Sequence, residues 1–311
     1  MQIRRFNPND AEASSGLFSR GISLIHLDPH IQEIEARAEK AREVLSGEIV
    51  AEMTFIAEDE GRIQGVISAK TADENKGQIV CFAADKANGE TIMISLLSRC
   101  LDALKEENCR GIEASFWLAC DDAETMTSAF GAAGVTIEFP EKRNILMGMP
   151  LDNIEPVPAL AEGYDSHTFR PGDDASWAQA KEIVFGSASA DEFENYYSGR
   201  ADFDPNEVIF VEHGDSLVAF SAGVFHQTRL GGLPCHRIFL DWVGALDEHR
   251  GKGLGRYICL HCMNHVKSKG ASYCTLVTQH YRVPAVNLYR KLGFEATADQ
   301  VKILWKAGES E

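Results

Sequence analysis

Residues 243–256 read Val-Gly-Ala-Leu-Asp-Glu-His-Arg-Gly-Lys-Gly-Leu-Gly-Arg. An apolar stretch ends near Ala245, an acidic turn follows, and Gly251, Gly253 and Gly255 alternate across the start of a helical pattern. The first N–H groups of a helix have no partner within it, and the helix dipole adds positive potential at that end. Such a start favours an anion, and glycines let a diphosphate approach the main chain because no Cβ intervenes. Arg250, Lys252 and Arg256 add cationic charge. The chemistry on offer is the gripping of a phosphate-bearing molecule; the plain alternative is a glycine-rich turn with incidental basic residues. The spacing is not the Gly-x-Gly-x-x-Gly of dinucleotide-binding loops, and no acidic residue in a strand context follows about 20 residues on.

To act in this way the loop must join a strand to a helix. The pattern predicts a strand over Ile238–Ala245 and a helix over Gly253–Lys269. A strand over Tyr273–Thr278, a short helix and a closing strand follow. Upstream stand a strand around Phe169, helices over Asp173–Phe185 and Asp191–Tyr197, and a hairpin over 208–224 turning at His213-Gly214-Asp215-Ser216. The first half repeats this order. It has a strand around Ile3 and an amphipathic helix over Ile31–Leu45, marked by Ile31, Ile34, Ala38, Ala41 and Leu45. A hairpin over 55–68 turns at Asp59-Glu60-Gly61-Arg62. A strand over Ile79–Ala84, a helix over Thr91–Glu106 and a strand over Gly111–Trp117 come next. Ala129–Val135 echoes Leu288–Phe294, so two copies of one fold are expected. Pro150, Pro156 and Pro158 interrupt any periodicity between them. The expected division is a first domain over 1–150, a linker over 151–166 and a second domain over 167–311. Helices alternating with strands predict an α/β fold, a mixed sheet with helices on both faces.

Composition bounds the partners. Of 311 residues 44% are hydrophobic and 25% charged, the proportions of an ordinary globular protein. A net charge of −17 argues against nucleic acid, whose phosphates would be repelled, and agrees weakly with an amine-bearing partner. No apolar run approaches the ~18 residues that cross a bilayer, and no signal peptide is visible, so a cytoplasmic location without membrane contact is expected. The eight cysteines read as reduced, mostly buried thiols. Cys259 and Cys262, with His261 and His265 nearby, mimic a zinc spacing but lack a second pair, so no metal is expected.

The segment Arg250-x-x-Gly253-x-Gly255 closely resembles the acyl-CoA-binding signature of the GNAT acyltransferase superfamily. Ala285–Phe294, Ala-Val-Asn-Leu-Tyr-Arg-Lys-Leu-Gly-Phe, resembles its second signature, at the usual separation. The resemblance covers residues 167–307. It implies two tandem folds, each a mixed, mostly antiparallel sheet flanked by helices, an architecture similar to that of the mycothiol synthases. It implies N-acetyltransfer with acetyl-CoA as co-substrate. Main-chain amides of Val243, Gly244 and Ala245 would hold the pantetheine arm, and residues 250–256, Leu254 included, the pyrophosphate. Tyr289 would protonate the departing thiolate by direct attack chemistry; its plain alternative is a core aromatic. The superfamily often has Asn seven residues before this Tyr. Here that residue is Arg282, which instead suits a phosphate.

A general base must accept the amine's proton. Asp241 stands in an apolar strand, where strand alternation groups it with Val243 and Ala245. A carboxylate there is costly without a partner or a task, so it is either the base or a structural hydrogen-bond acceptor. Glu212 and His213 are weaker candidates in a turn. Phe193, Tyr196, Tyr197 and Phe203 either line the acceptor pocket or fill the core. In the first copy only Gly89 and Lys86 survive from the loop, and Phe130 stands where Tyr289 does. That copy reads as degenerate, with or without a silent cofactor pocket. The expected acceptor is a small-molecule or peptide amine, and the chain a monomer or homodimer. The competing reading is a non-catalytic sensor of CoA esters.

Overall fold

The computed structural model describes residues 1–25, 41–46, 53–73, 75–189, 191–225 and 237–307. Most of the helix expected over Ile31–Leu45 lies outside the described residues, as does Cys235; residues 41–45 are helical, with Ala41 and Leu45 buried.

The first half contains β1 (Gln2–Arg5), β2 (Ile22–Ile25), β3 (Thr54–Asp59), β4 (Arg62–Asp73) and β5 (Lys76–Ala84). It continues with α1 (Gly89–Glu106), β6 (Gly111–Ala119), α2 (Ala123–Ala132), β7 (Thr136–Glu138) and β8 (Asn144–Pro150). The second half contains β9 (Tyr164–Thr168), α3 (Asp173–Phe185), β10 (Val208–His213), β11 (Ser216–Phe225) and β12 (Arg237–Ala245). It closes with α4 (Leu254–Ser268), β13 (Tyr273–Gln279), α5 (Val283–Leu292) and β14 (Glu295–Lys306). Both expected hairpins form, with left-handed turn residues at Glu60 and Gly61 and at Gly214. The helix expected over Asp191–Tyr197 forms over residues 192–198, wound as a π-helix at Glu194–Ser198. No helix among the described residues is long and apolar enough to cross a membrane.

The two sheets are continuous. Their strands form one array in the order β1-β3-β4-β5-β6-β14-β8-β13-β12-β11-β10-β9. Pairings are antiparallel except β5–β6 and β12–β13. The closing strands have changed places. β14 pairs with β6 along Ala298–Lys306, and its Val301, Ile303 and Trp305 pack in the core of the first half. β8 pairs with β13 along its whole length, and its Ile145, Met147 and Met149 pack in the core of the second. Sequence order alone would close each copy on its own last strand. An apolar strand face is satisfied by any edge of matching pleat, so the pattern alone does not choose between them.

The proline-bearing segment after β8 wraps the second half. Ile154 and Leu160 pack on its core, Glu155 pairs with Arg256, and Asp152 O accepts from Lys267 Nζ at 2.7 Å. Helix α3 is bounded by left-handed glycines, Gly172 and Gly186. It buries Trp177, Ala180 and Lys181, three positions on one face at helical spacing. Two of these are ordinary core residues; the lysine is not.

Candidate active site

β12 is irregular where the site is built. Ala222 of β11 pairs with Asp241 and Phe220 pairs with Gly244, so Ser221 alone faces Trp242 and Val243. This is a β-bulge, and it is completed by Trp242 in the left-handed region at φ 43°. A bulky residue there is strained by about 1–2 kcal/mol. β12 pairs with β13 only through Arg237–Phe239, opposite Tyr273–Thr275. Beyond Phe239 the two parallel strands diverge, leaving the main chain from Leu240 to Ala245 without a strand partner on that side among the described residues.

The glycine loop follows. Gly253 caps α4 at φ 82°, a conformation that positions its first free N–H groups and disfavours any side chain. A Cβ on Gly255 would meet Leu288 Cδ2 at 2.9 Å, so this glycine lets α4 and α5 approach. Loop, β12 and α5 enclose a cleft of about 680 Å³. Val243, Gly244, Ala245, Arg250, Gly251, Gly253, Leu254, Gly255, Arg256, Arg282 and Tyr289 all line it. Lys252 does not. Its ammonium lies over the Tyr164 ring, 5.6 Å from the centroid. Arg256 reaches the cleft but is paired with Glu155, and Arg250 with Asp247 at 2.7 Å. Arg282 accordingly stands at the cleft wall without a carboxylate partner among the described residues; its Nε donates to Gln279 Oε1 at 2.7 Å.

A second cavity of about 300 Å³ opens on the other side of the divergence. Phe185, Val243, Arg282, Ala285 and Tyr289 line both, so Tyr289 stands at the junction. Asp241, Trp242 and Val243 all line the smaller one. Three consecutive residues cannot share a face on a regular strand; the bulge permits it and interrupts the alternation expected of 241, 243 and 245. Asn144 of β8, from the first half, also lines this cavity.

The two titratable groups are tuned in useful directions. Tyr289 is 6% exposed, and burial pushes its hydroxyl far above the ordinary range, so it keeps its proton. That hydroxyl has no hydrogen-bond partner among the described residues. Asp241 is raised to about 6 by burial, opposed by the Tyr197 hydroxyl, the Trp242 N–H and the Lys181 charge. Tyr197 OH donates to Asp241 Oδ2 at 3.0 Å and Trp242 N to Oδ1 at 2.9 Å. Of the aromatic candidates, Phe193 and Tyr197 are buried in the core, Phe203 is partly buried against it, and Tyr196 is 45% exposed. Glu212 and His213 lie outside both cavities, on β10. Cys259 and Cys262 are fully buried.

The equivalent opening in the first half is filled by the chain itself. β5 pairs with β6 only at Lys76 and Gly77, so these strands diverge too. β2 lies in the gap, with Ile22–Ile25 antiparallel to Ala84–Cys81. β4 occupies the other edge of the same residues. Phe130 is fully buried, edge-on to Phe82 at 5.9 Å. Sequence reading left open a silent cofactor pocket here; β2 takes the main-chain edge such a pocket would need.

Residues 175–294 match the acetyltransferase (GNAT) family. The match runs from α3 to just past α5 and so takes in most of the second half. Among curated relatives, a mycothiol acetyltransferase of Thermomonospora curvata is 25% identical, over 92% of this chain and 95% of that protein. One from Thermobispora bispora is 26% identical, over 76% and 78%. One from Streptomyces bingchenggensis is 32% identical, but the match spans 52% of this chain and about half, 53%, of the relative. Two solved structures share the fold of the whole chain. A GCN5-related N-acetyltransferase from Sphaerobacter thermophilus superposes with a TM-score of 0.60 at 16% identity, over 98% of this chain and 95% of that one. A tandem GNAT protein from the clavulanic acid biosynthesis pathway gives 0.54 at 15%, over 100% and 99%. The fold is therefore the tandem GNAT arrangement.

Proposed function

We propose that this chain transfers the acetyl group of acetyl-CoA to a primary amine of a small molecule or peptide, with chemistry confined to the second half. One observation carries the reading: the divergence of β12 from β13 joins a glycine-lined cleft to a small cavity holding a carboxylate, with Tyr289 at the junction. The donor set suits coenzyme A. Free N–H groups at the head of α4 face the cleft and favour a diphosphate, and the unpartnered edge of β12 offers main-chain hydrogen bonds to an extended amide arm. Main-chain N–H groups of the Val243–Ala245 segment would polarise the thioester carbonyl. Arg282 supports an anionic or carbonyl group near Tyr289.

In this reaction the neutral amine attacks the thioester carbonyl, and Asp241 accepts its proton directly or through water. The C–S bond breaks as the tetrahedral intermediate collapses, and Tyr289 gives its proton to the sulfur. A raised Asp241 pKa suits a base working near neutrality, and a protonated Tyr289 suits an acid. The relatives' name favours, as a second reading, an acceptor on the route to mycothiol.

The test is release of thiol from acetyl-CoA against a panel of primary amines. Turnover is expected with at least one amine, and Tyr289→Phe should lower kcat about 10²–10³-fold while leaving the Kd for coenzyme A within about threefold. Tight binding of coenzyme A with no turnover on any amine would make the chain a sensor instead.

A further inference from the structure

Lys181 is the one lysine among the described residues in the buried set, its side chain 1% exposed in the middle of α3. Two of its three donors are used: Nζ donates to Glu192 Oε2 and to Ser187 O, both at 2.8 Å. The ammonium also stands 4.1 Å from the centroid of the Trp242 indole, close enough for a cation–π contact sheltered from water. Trp242 is the strained residue of the β12 bulge, and its N–H is bonded to the Asp241 carboxylate. α3, the bulge and the candidate base are thus mechanically continuous. A charge is costly to bury, and neither cavity that α3 helps to wall includes Lys181 among its lining residues. The reactive groups do not touch it, yet it leans on the residue beside them.

We propose that Lys181 is a positioning residue of the acetyl-transfer site: its buried ammonium clamps the Trp242 indole and so holds the β12 bulge, and the Asp241 beside it, in shape. The titratable and charged groups facing Asp241 are Lys181 from α3, itself paired with Glu192, Tyr197 from the π-helical turn, and Arg282 and Tyr289 from the cap and body of α5, which line the same cavity. Burial keeps both tyrosines neutral, and of the two cations Lys181 is the one whose charge bears on the carboxyl. Its effect on Asp241 is to lower the carboxyl's pKa against the opposing pull of burial. The proposal rests on Asp241 as the base.

A carboxyl ¹³C NMR titration of the full chain tests this directly, with Asp241 assigned by the signal missing from Asp241→Asn. In Lys181→Met the Asp241 midpoint should rise by about half to one pH unit, and in Lys181→Arg it should return. Thiol release at neutral pH with the best panel amine should fall at least about tenfold in kcat in the Met variant, with the Kd for coenzyme A within about twofold. Lys181→Gln is measured in parallel and stands in if the Met variant does not fold. A folded uncharged variant whose midpoint stays in place overturns the proposal, as does an equal rise in the Arg and Met variants. A risen midpoint with unchanged kcat overturns the positioning role. Full activity in Asp241→Asn would sink Asp241 as base; the NMR midpoints would still decide the Lys181–Asp241 coupling.

Discussion

Replacing Asp241 by Asn should make the protein more stable and inactive, and the stability gain should depend on pH. The carboxyl moves from an ordinary 3.8 to about 6 in the fold, chiefly through burial. A group whose pKa is higher folded than unfolded binds its proton more tightly in the fold. It therefore weakens the fold as pH rises from 3.8 through about 6. At about 1.4 kcal/mol for each pH unit, the full penalty is about 3 kcal/mol above that window, and it vanishes below it. Asparagine avoids the penalty but accepts only one of the two hydrogen bonds made now by Tyr197 OH and Trp242 N. Its amide NH₂ turns toward the other donor, at a cost of about 1–2 kcal/mol. The net expectation is a gain of about 1–2 kcal/mol near pH 8 and a loss of similar size near pH 4. Urea denaturation of both proteins at the two pH values measures this, and thiol release at pH 8 should fall at least about 10²-fold in the variant. A stability difference that is the same at both pH values would refute the burial argument. Undiminished turnover would refute the catalytic one.

Two further outcomes follow from the loop and from the filled cleft. Gly253→Ala forces a side chain into a left-handed cap at φ 82°; it should cost about 1 kcal/mol in thermal or urea denaturation and weaken coenzyme A binding about tenfold or more by calorimetry. Because β2 occupies the edge of β5 in the first half, calorimetry should give one coenzyme A per chain; two equivalents would show that β2 yields its place.

Much of this was legible in the residue order. The strand, glycine turn and helix over 238–269 are local: alternation, a left-handed cap and free N–H groups are set by neighbours in sequence. The two hairpins, the tandem plan and the loss of Tyr289's counterpart at Phe130 rest on the same kind of short-range pattern. Even Asp241 announced itself, since a carboxylate in an apolar strand is an anomaly any reader can see. What no local pattern contains is which distant group meets it. Lys181 looks like one more surface lysine until α3 packs its Trp177 face on the sheet and takes the ammonium inside. The Trp242 bulge depends on how β11 registers against β12, and the exchange of β8 and β14 on which of two similar edges each strand finds. These are long-range choices, settled by total burial across the sheet, and so only the folded chain reveals them.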